Sequence, residues 1–305
     1  MRGVVANLVV ASALVLAAFW WITEPRPAAS PHINALAGDA QRGKTFFDAG
    51  GCASCHQSPG QSDRLALGGG LELKTPFGVF VVPNISSHPV SGIGKWTTAD
   101  LANAMKAGLS PNGSHYYPAF PFTTYAHMRD QDIADLMAFL RRLPPLDGKT
   151  RPHDLSFPFN YRRLVGAWKL LYLDQTEIID DPKRSQEWNR GRYLVEGLAH
   201  CAECHSARTI LGGMDETYRY AGGPDPEGKG MIPNITPHKS GIGSWSKADL
   251  VEVLTTGLTP APDEVSGSMA EVVKNVSELS KQDREAMAEY IKSLPPRERP
   301  PKKTM

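Results

Sequence analysis

The longest predominantly apolar stretch of the chain runs from Gly3 to Ile22, with Arg2 the only charge ahead of it. At about 1.5 Å per residue, a helix of that length crosses the hydrocarbon core of a bilayer. Trp20 and Trp21 close the run, where indole rings suit the headgroup layer. The pattern predicts an uncleaved anchor helix. The competing reading is a long signal peptide cut between Pro25 and Ala37, where Ala35-Leu36-Ala37 has the small-residue form of a cleavage site. Either reading exports the rest of the chain.

Past this segment, hydrophobic positions fall at helical spacing. Leu101 and Met105 are four apart, as are Leu250 and Leu254, so each pair shares a helix face. Each follows a start signal, Thr97 with Asp100 and Ser246 with Asp249, in which hydroxyl and carboxylate satisfy orphan amides reciprocally. Ile133, Leu136, Met137 and Leu140 predict a further helix that must stop near Pro144-Pro145. Its match begins after Ser280, with Asp283 at the cap-box position, and ends before Pro295-Pro296. Residues 162–173 read as a helix with Leu164, Trp168 and Leu171 on one face, expected to pack across the two halves because those side chains need cover. Val79 to Val82 is too short and unbroken to carry a sheet on its own. The predicted fold class is all-α.

The pattern occurs twice. Gly43-Lys44-Thr45-Phe46-Phe47 is answered by Gly191-Arg192-Tyr193-Leu194-Val195, and Pro83-Asn84-Ile85-Ser86 by Pro233-Asn234-Ile235-Thr236. Ser91-Gly92-Ile93-Gly94-Lys95-Trp96 is answered by Ser240-Gly241-Ile242-Gly243-Ser244-Trp245, and Leu143-Pro144-Pro145 by Leu294-Pro295-Pro296, with offsets of 148 to 151 throughout. Such agreement marks an internal duplication. The expected division is an anchor and short linker over 1–37, a first domain over 38–146, a connection over 147–186, a second domain over 187–296 and a mobile tail over 297–305.

Composition changes this picture only through charge and cysteine. The 305 residues carry a formal net charge of +1, which gives no broad basic footprint for nucleic acid. All four cysteines fall into two C-x-x-C-H motifs, Cys52, Cys55, His56 and Cys201, Cys204, His205. That is the signature of c-type haem attachment. Two intervening residues let both thiols reach one porphyrin from a single helical turn, and the adjoining histidine then falls under the iron. Its Nδ1–H needs an acceptor so that Nε2 faces the metal, and a carbonyl in the Pro83 or Pro233 loop is the expected partner. Thioredoxin-like dithiol chemistry would need a βαβ setting, and one four-thiolate zinc site would leave both histidines unexplained. Two covalent haem c groups are therefore expected, with His56 and His205 as iron ligands.

The distal ligands are less symmetric. In the second unit Met269 follows Ser266-Gly267-Ser268, read as a loop in which glycine frees the backbone to approach a haem. Met214 and Met231 lie nearer the cysteines, and Met287 reads as core. The corresponding stretch of the first unit is Tyr116-Tyr117-Pro118-Ala119-Phe120-Pro121-Phe122, and Phe120 cannot bind iron. Met128, just before the last helix of that unit, is the favoured ligand. Met105, Met137, His115, His127 or an open site remain as alternatives.

The chain resembles the c-type cytochrome subunits of membrane-bound alcohol, aldehyde and gluconate dehydrogenases of Gram-negative bacteria. The resemblance rests on the duplicated elements above, on Asn189 to Val195 ahead of His200-Cys201, on Tyr117-Pro118-Ala119-Phe120-Pro121 and on Phe157-Pro158-Phe159-Asn160. It implies tandem cytochrome c-like domains, each a small helical fold around one haem. It also implies a periplasmic dehydrogenase subunit as electron donor, and an oxidase, quinone-linked complex or another cytochrome as acceptor. Many relatives carry three haems and read Tyr-Pro-Ala-Met-Pro-Tyr where this chain has Phe120 and Phe122. The expected protein is a single-pass protein of the cytoplasmic membrane with its haem domains on the periplasmic side, relaying electrons and holding no catalytic residues of its own. The alternative is a dihaem enzyme of the peroxidase or thiosulfate dehydrogenase type with one reactive haem.

Overall fold

The structure is a computed structural model that describes residues 2–148, 150–225, 230–261 and 263–301. Helix α1, Arg2–Ile22, has no buried side chain and is, among the described residues, the one helix long and apolar enough to cross a membrane. The chain enters the globular body at Thr23, which is 1% exposed. The stretch expected as a short linker is pinned there. Asn103 Oδ1 accepts from the amides of Ala28 and Ala29, and Ile33, in a short 3₁₀ turn, is 1% exposed within the core.

Two helical units follow. The first contains α2 (Ala40–Ala49), α3 (Cys52–His56), α4 (Thr98–Ala107), α5 (Phe122–Tyr125) and α6 (Asp130–Leu140). A connecting helix, α7 (Arg163–Tyr172), leads to α8 (Gln186–Gly197), α9 (Cys201–His205), α10 (Lys247–Thr256), α11 (Ser268–Val276) and α12 (Lys281–Lys292). Both anticipated capping boxes form, Thr97 with Asp100 on α4 and Ser246 with Asp249 on α10. Ser280 caps α12 by accepting from the Asp283 amide.

In each unit the first helix crosses the last at a glycine, because only there can two backbones approach this closely. A Cβ on Gly43 would lie 2.6 Å from the carbonyl carbon of Asp135 on α6. One on Gly191 would lie 2.5 Å from that of Ala286 on α12. Around these crossings Phe46, Phe47, Leu136 and Met137 join Tyr193, Leu194, Met287 and Ile291 in one apolar core that runs through both units.

The Pro-Asn-Ile loops clamp the chain beyond each Leu-Pro-Pro. Asn84 Nδ2 donates to the Leu146 carbonyl at 2.8 Å, and Asn234 Nδ2 to the Arg297 carbonyl at 2.7 Å. Arg297, expected to open a mobile tail, is therefore tied down; residues 302–305 of that tail lie outside the described residues.

Two features depart from the sequence expectation. Val79, Phe80 and Val81 do lie in a sheet, because the chain reverses at Pro76-Phe77 and Gly78, at φ 126°, opens the returning strand. β1 (Glu72–Thr75) pairs with β2 (Gly78–Val81) in the register Leu73↔Phe80, and β3 (Asp154–Leu155) from the connection adds to its edge. A second small ladder joins β4 (Gly223–Pro224) to β5 (Met231–Ile232). The other departure is α7, whose leucines are not covered. Val165, Gly166 and Lys169 face the protein, while Leu164, Leu170 and Leu171 face outward.

Candidate functional site

The cysteine motifs form two short helices, α3 and α9, each entered through a left-handed residue. Gly51 stands at φ 63° and His200 at φ 41°. This turn breaks the chain after α2 and α8, so both thiols and the histidine project from a single fresh turn. In each copy the histidine ring is held by the expected acceptor. His56 Nδ1 donates to the Pro83 carbonyl and His205 Nδ1 to the Pro233 carbonyl, both at 2.8 Å. That fixes the tautomer with Nε2 as the free lone pair. Burial pushes His56 down to about 4 and also lowers His205, so both rings are neutral, as an iron ligand must be.

The thiols are not those of a nucleophilic pair. Burial pushes Cys52 and Cys201 up to about 12 and raises Cys55, with Cys204 as the next contributor to that rise. Reactive dithiols need the opposite shift. Among the described residues no cluster of three or more His, Cys, Asp or Glu side chains is arranged to hold a metal ion. Two thiols and one oriented imidazole on one turn, twice over, are the donor set that a thioether-bonded haem uses.

The two attachment helices meet at the unit boundary, each held by the penultimate helix of the other unit. On one side Asn275 of α11 donates to Ser54 Oγ at 2.6 Å, and Arg64 donates to Asn275 Oδ1 at 2.6 Å. On the other, Thr123 and Thr124 donate to Glu203 Oε1 at 2.8 and 3.1 Å. Burial opposes the Glu203 charge, but Arg208, at 2.6 Å from its other oxygen, and the hydroxyls hold the carboxyl below the usual glutamate range. Between these contacts Tyr125 donates to the Gly50 carbonyl at 2.8 Å, and its ring meets that of His200 edge-on, centroids 6.0 Å apart. Glu203 and Ser54 escaped sequence reasoning because the intervening residues of C-x-x-C-H carry no pattern of their own. His200 was visible only as the residue preceding Cys201.

The structure places the methionines unequally. Met269 is half-buried on the first turn of α11 rather than in a loop, after Gly267 at φ 59° and ψ −138°, a conformation other residues rarely adopt. Met128 is fully buried between α5 and α6. It directly precedes the N-cap Arg129, where the second unit has Leu279 before Ser280. His115 is engaged at both ring nitrogens, Nε2 donating to the Thr23 carbonyl and Nδ1 accepting from Lys169, each at 3.0 Å. His127 spends Nδ1 on the Thr176 carbonyl. Met105, Met137 and Met287 are core residues of α4, α6 and α12.

The family model for cytochrome c matches residues 40–144 and 189–295. A dihaem c-type cytochrome of Cereibacter sphaeroides is 51% identical over 95% of this chain and 98% of its own length. A nicotinate dehydrogenase subunit from Pseudomonas putida is 36% identical over 90% of this chain but 23% of its own length. The cytochrome subunit of fructose dehydrogenase from Gluconobacter japonicus is 35% identical over 90% of this chain and 55% of its own length. The chain thus spans only part of these two dehydrogenase subunits, and nearly all of the dihaem relative. With the duplicated attachment helices and their oriented histidines, these matches establish that the chain belongs to the cytochrome c family, as a two-domain member carrying two covalently bound c-type haems.

Proposed function

We propose that this chain is a membrane-anchored relay on the periplasmic side, taking electrons from a dehydrogenase subunit and passing them through two haems toward the respiratory chain. The observation that carries the reading is the meeting of the two attachment turns at the unit boundary, where a Cβ on Gly51 would lie 3.7 Å from His200 Nε2 and Tyr125 donates to the Gly50 carbonyl while its ring meets that of His200. Each bound haem supplies a one-electron Fe(III)/Fe(II) couple. The chain's part is to hold both couples at a short, fixed separation and to keep them dry. Cys52, Cys55 and His56 would hold the first haem and Cys201, Cys204 and His205 the second. Met128 and Met269 would close the distal faces, and their non-equivalent positions favour two unlike potentials. Helix α1 supports the anchor. A cut at Ala35-Leu36-Ala37 would remove Ile33 from the core and the Asn103 contacts of Ala28 and Ala29. The dehydrogenase relatives support the donor.

The test is spectroscopic. Wild-type ferric protein should show the near-infrared methionine-to-iron band at an intensity of two per chain, and the ferrous protein should not bind carbon monoxide. Met269→Ala should remove one band and open one iron, and Met128→Ala the other. A wild-type band of one per chain that Met128→Ala leaves unchanged removes Met128 as a ligand. A five-coordinate iron at that site would favour the reactive-haem reading over the relay.

A further inference from the structure

Helix α7 is built inside out. An amphipathic helix on a soluble body hides its leucines and shows its lysines; here Lys169 is 9% exposed, while Leu164, Leu170 and Leu171 are 40%, 63% and 66% exposed. The inversion is held by specific bonds. Lys169 Nζ donates to the carbonyls of Ala107 and Gly108 at the end of α4 at 2.5 and 2.8 Å, satisfying acceptors that the helix end leaves orphaned. Nζ also meets His115 Nδ1 and sits 4.8 Å from the centroid of the Phe122 ring, and the His115 ring in turn bonds Thr23, which directly follows α1. Gly166 permits the approach, since a Cβ there would lie 2.6 Å from the Thr23 carbonyl. Arg163 donates to Thr23 Oγ1 at 2.9 Å and lies 4.4 Å over the Trp20 ring. The outward leucines therefore start where the anchor helix ends.

The apolar surface continues beyond α7. Phe157 and Phe159 precede it, 80% and 44% exposed, with Phe159 stacked edge-on against Phe77 of the β1–β2 turn at 4.8 Å. On the other side Trp168 Nε1 donates to the Leu211 carbonyl, fixing a loop of the second unit whose tip, Ile210, is 95% exposed. Exposed apolar side chains gathered on one face in this way mark an interaction surface. Its continuity with Trp20, and arginines among its leucines and aromatic rings, match the composition of an interfacial membrane element.

We infer that the outward face of α7, with the flanking Phe157–Phe159 turn and the Ile210 tip, lies in the headgroup layer of the bilayer as a second membrane contact. This rests on reading α1 as the anchor. The arrangement would clamp the two haem units at one orientation to the membrane instead of leaving them to swing on a single tether.

The test uses the full-length, haem-loaded chain in phosphatidylethanolamine–phosphatidylglycerol vesicles. These contain a phospholipid carrying a photoactivatable carbene source either beside the headgroup or at the chain end, and adducts are mapped by mass spectrometry. The shallow probe should mark Leu164, Leu170, Leu171 and Ile210, and should spare Val90 and Ile179, which are also exposed apolar residues. Leu170→Glu with Leu171→Glu should abolish the adducts on that peptide while leaving the haem spectra unchanged. The deep probe should mark Val9 to Leu16. If the deep probe marks α1 and the shallow probe spares α7, the anchor stands and the second contact is overturned. If the deep probe misses α1, the anchor reading fails, whatever the shallow probe shows. Labelling of Val90 and Ile179 equal to that of Leu171, or crosslinks from α7 to a second copy of the chain in place of lipid, would also overturn the inference.

Discussion

Replacing Gly191 by alanine tests whether the paired helix crossings carry the stability of each unit. In a free helix the change would be favourable by about 1 kcal/mol, since alanine is the better helix former. Here the new Cβ would meet the Ala286 carbonyl carbon at 2.5 Å and Tyr290 Cβ at 3.0 Å. Carbon atoms rest comfortably about 3.5–4.0 Å apart, so α8 and α12 must separate by about 1 Å. The obstacle is backbone on both sides and no rotamer change relieves it. Separation would open the contacts of Tyr193, Leu194, Met287 and Ile291, all within the core. Overpacking of this kind costs about 1–3 kcal/mol or more. Because backbone meets backbone, a net loss of about 2–3 kcal/mol is expected despite the helix gain. For a unit of roughly 100 residues that is about 10–20 °C in melting temperature. The assay is thermal unfolding followed at the haem Soret band, with proteolysis locating the unit that opens first. Gly191→Ala should loosen the second unit and Gly43→Ala the first. A melting temperature within about 2 °C of wild type would refute the reasoning, as would equal loss in both units from either substitution.

Asp135, completely buried, accepts from Arg42, the Asp39 amide and Gln131, and its carboxyl is held below the usual range against the cost of burial. An acid with a depressed folded value contributes stability that is present above its unfolded value and lost as pH falls through the folded one. Asp135→Asn should therefore cost about 1–2 kcal/mol at neutral pH and flatten the acid limb of a stability–pH curve measured by denaturant titration. Burial pushes Lys169 from 10.5 down to about 7. The unfolded chain then binds more protons between those values, so stability should rise with pH across that window. Lys169→Met should remove the rise, as read from denaturant midpoints at several pH values. Glu203→Gln should weaken the bridge to Thr123 and Thr124 by about 1–3 kcal/mol and shift the second haem's midpoint upward in a potentiometric titration. An unchanged midpoint would show that Arg208 already cancels the charge there.

The sequence exposed whatever repeats or has a fixed period. The capping boxes at Thr97 and Ser246, the stops before Pro144 and Pro295, and the carbonyl partners of the attachment histidines were all legible, because each depends on neighbours in the chain or on a loop present twice. What depends on the meeting of distant segments was not. Lys169 reads as the polar side of an ordinary amphipathic helix until the ends of α1 and α4 arrive beside it, and then the same pattern places its leucines outside. The β1–β2 hairpin was missed because a two-residue turn at Pro76-Phe77, followed by Gly78 at a φ that favours glycine, pairs strands too short to show a period of their own. Met128 could be named as a candidate but not placed, since neither periodicity nor duplication distinguishes it from Leu279, its counterpart in the core.

The duplication also makes the differences between the units informative. Ser54 and Glu203 occupy the same place in the two attachment motifs, and each reaches across to the opposite unit. One contact is neutral, an amide and a hydroxyl backed by Arg64; the other is an ionised carboxylate backed by Arg208. A carboxylate stabilises a positive charge nearby and an arginine opposes one. Glu203 is paired with Arg208 at 2.6 Å and Arg64 with Glu271 at 3.5 Å, so the two sites differ in how tightly and how near the attachment turn the charges are paired. The unlike positions of Met128 and Met269, the proposed distal ligands, would add a second source of asymmetry to the same pair. A duplicated fold with identical sites would exchange electrons in either direction equally. The differences at this one interface give the two sites different environments while holding them against each other, which is what the proposed relay would need in order to favour one direction.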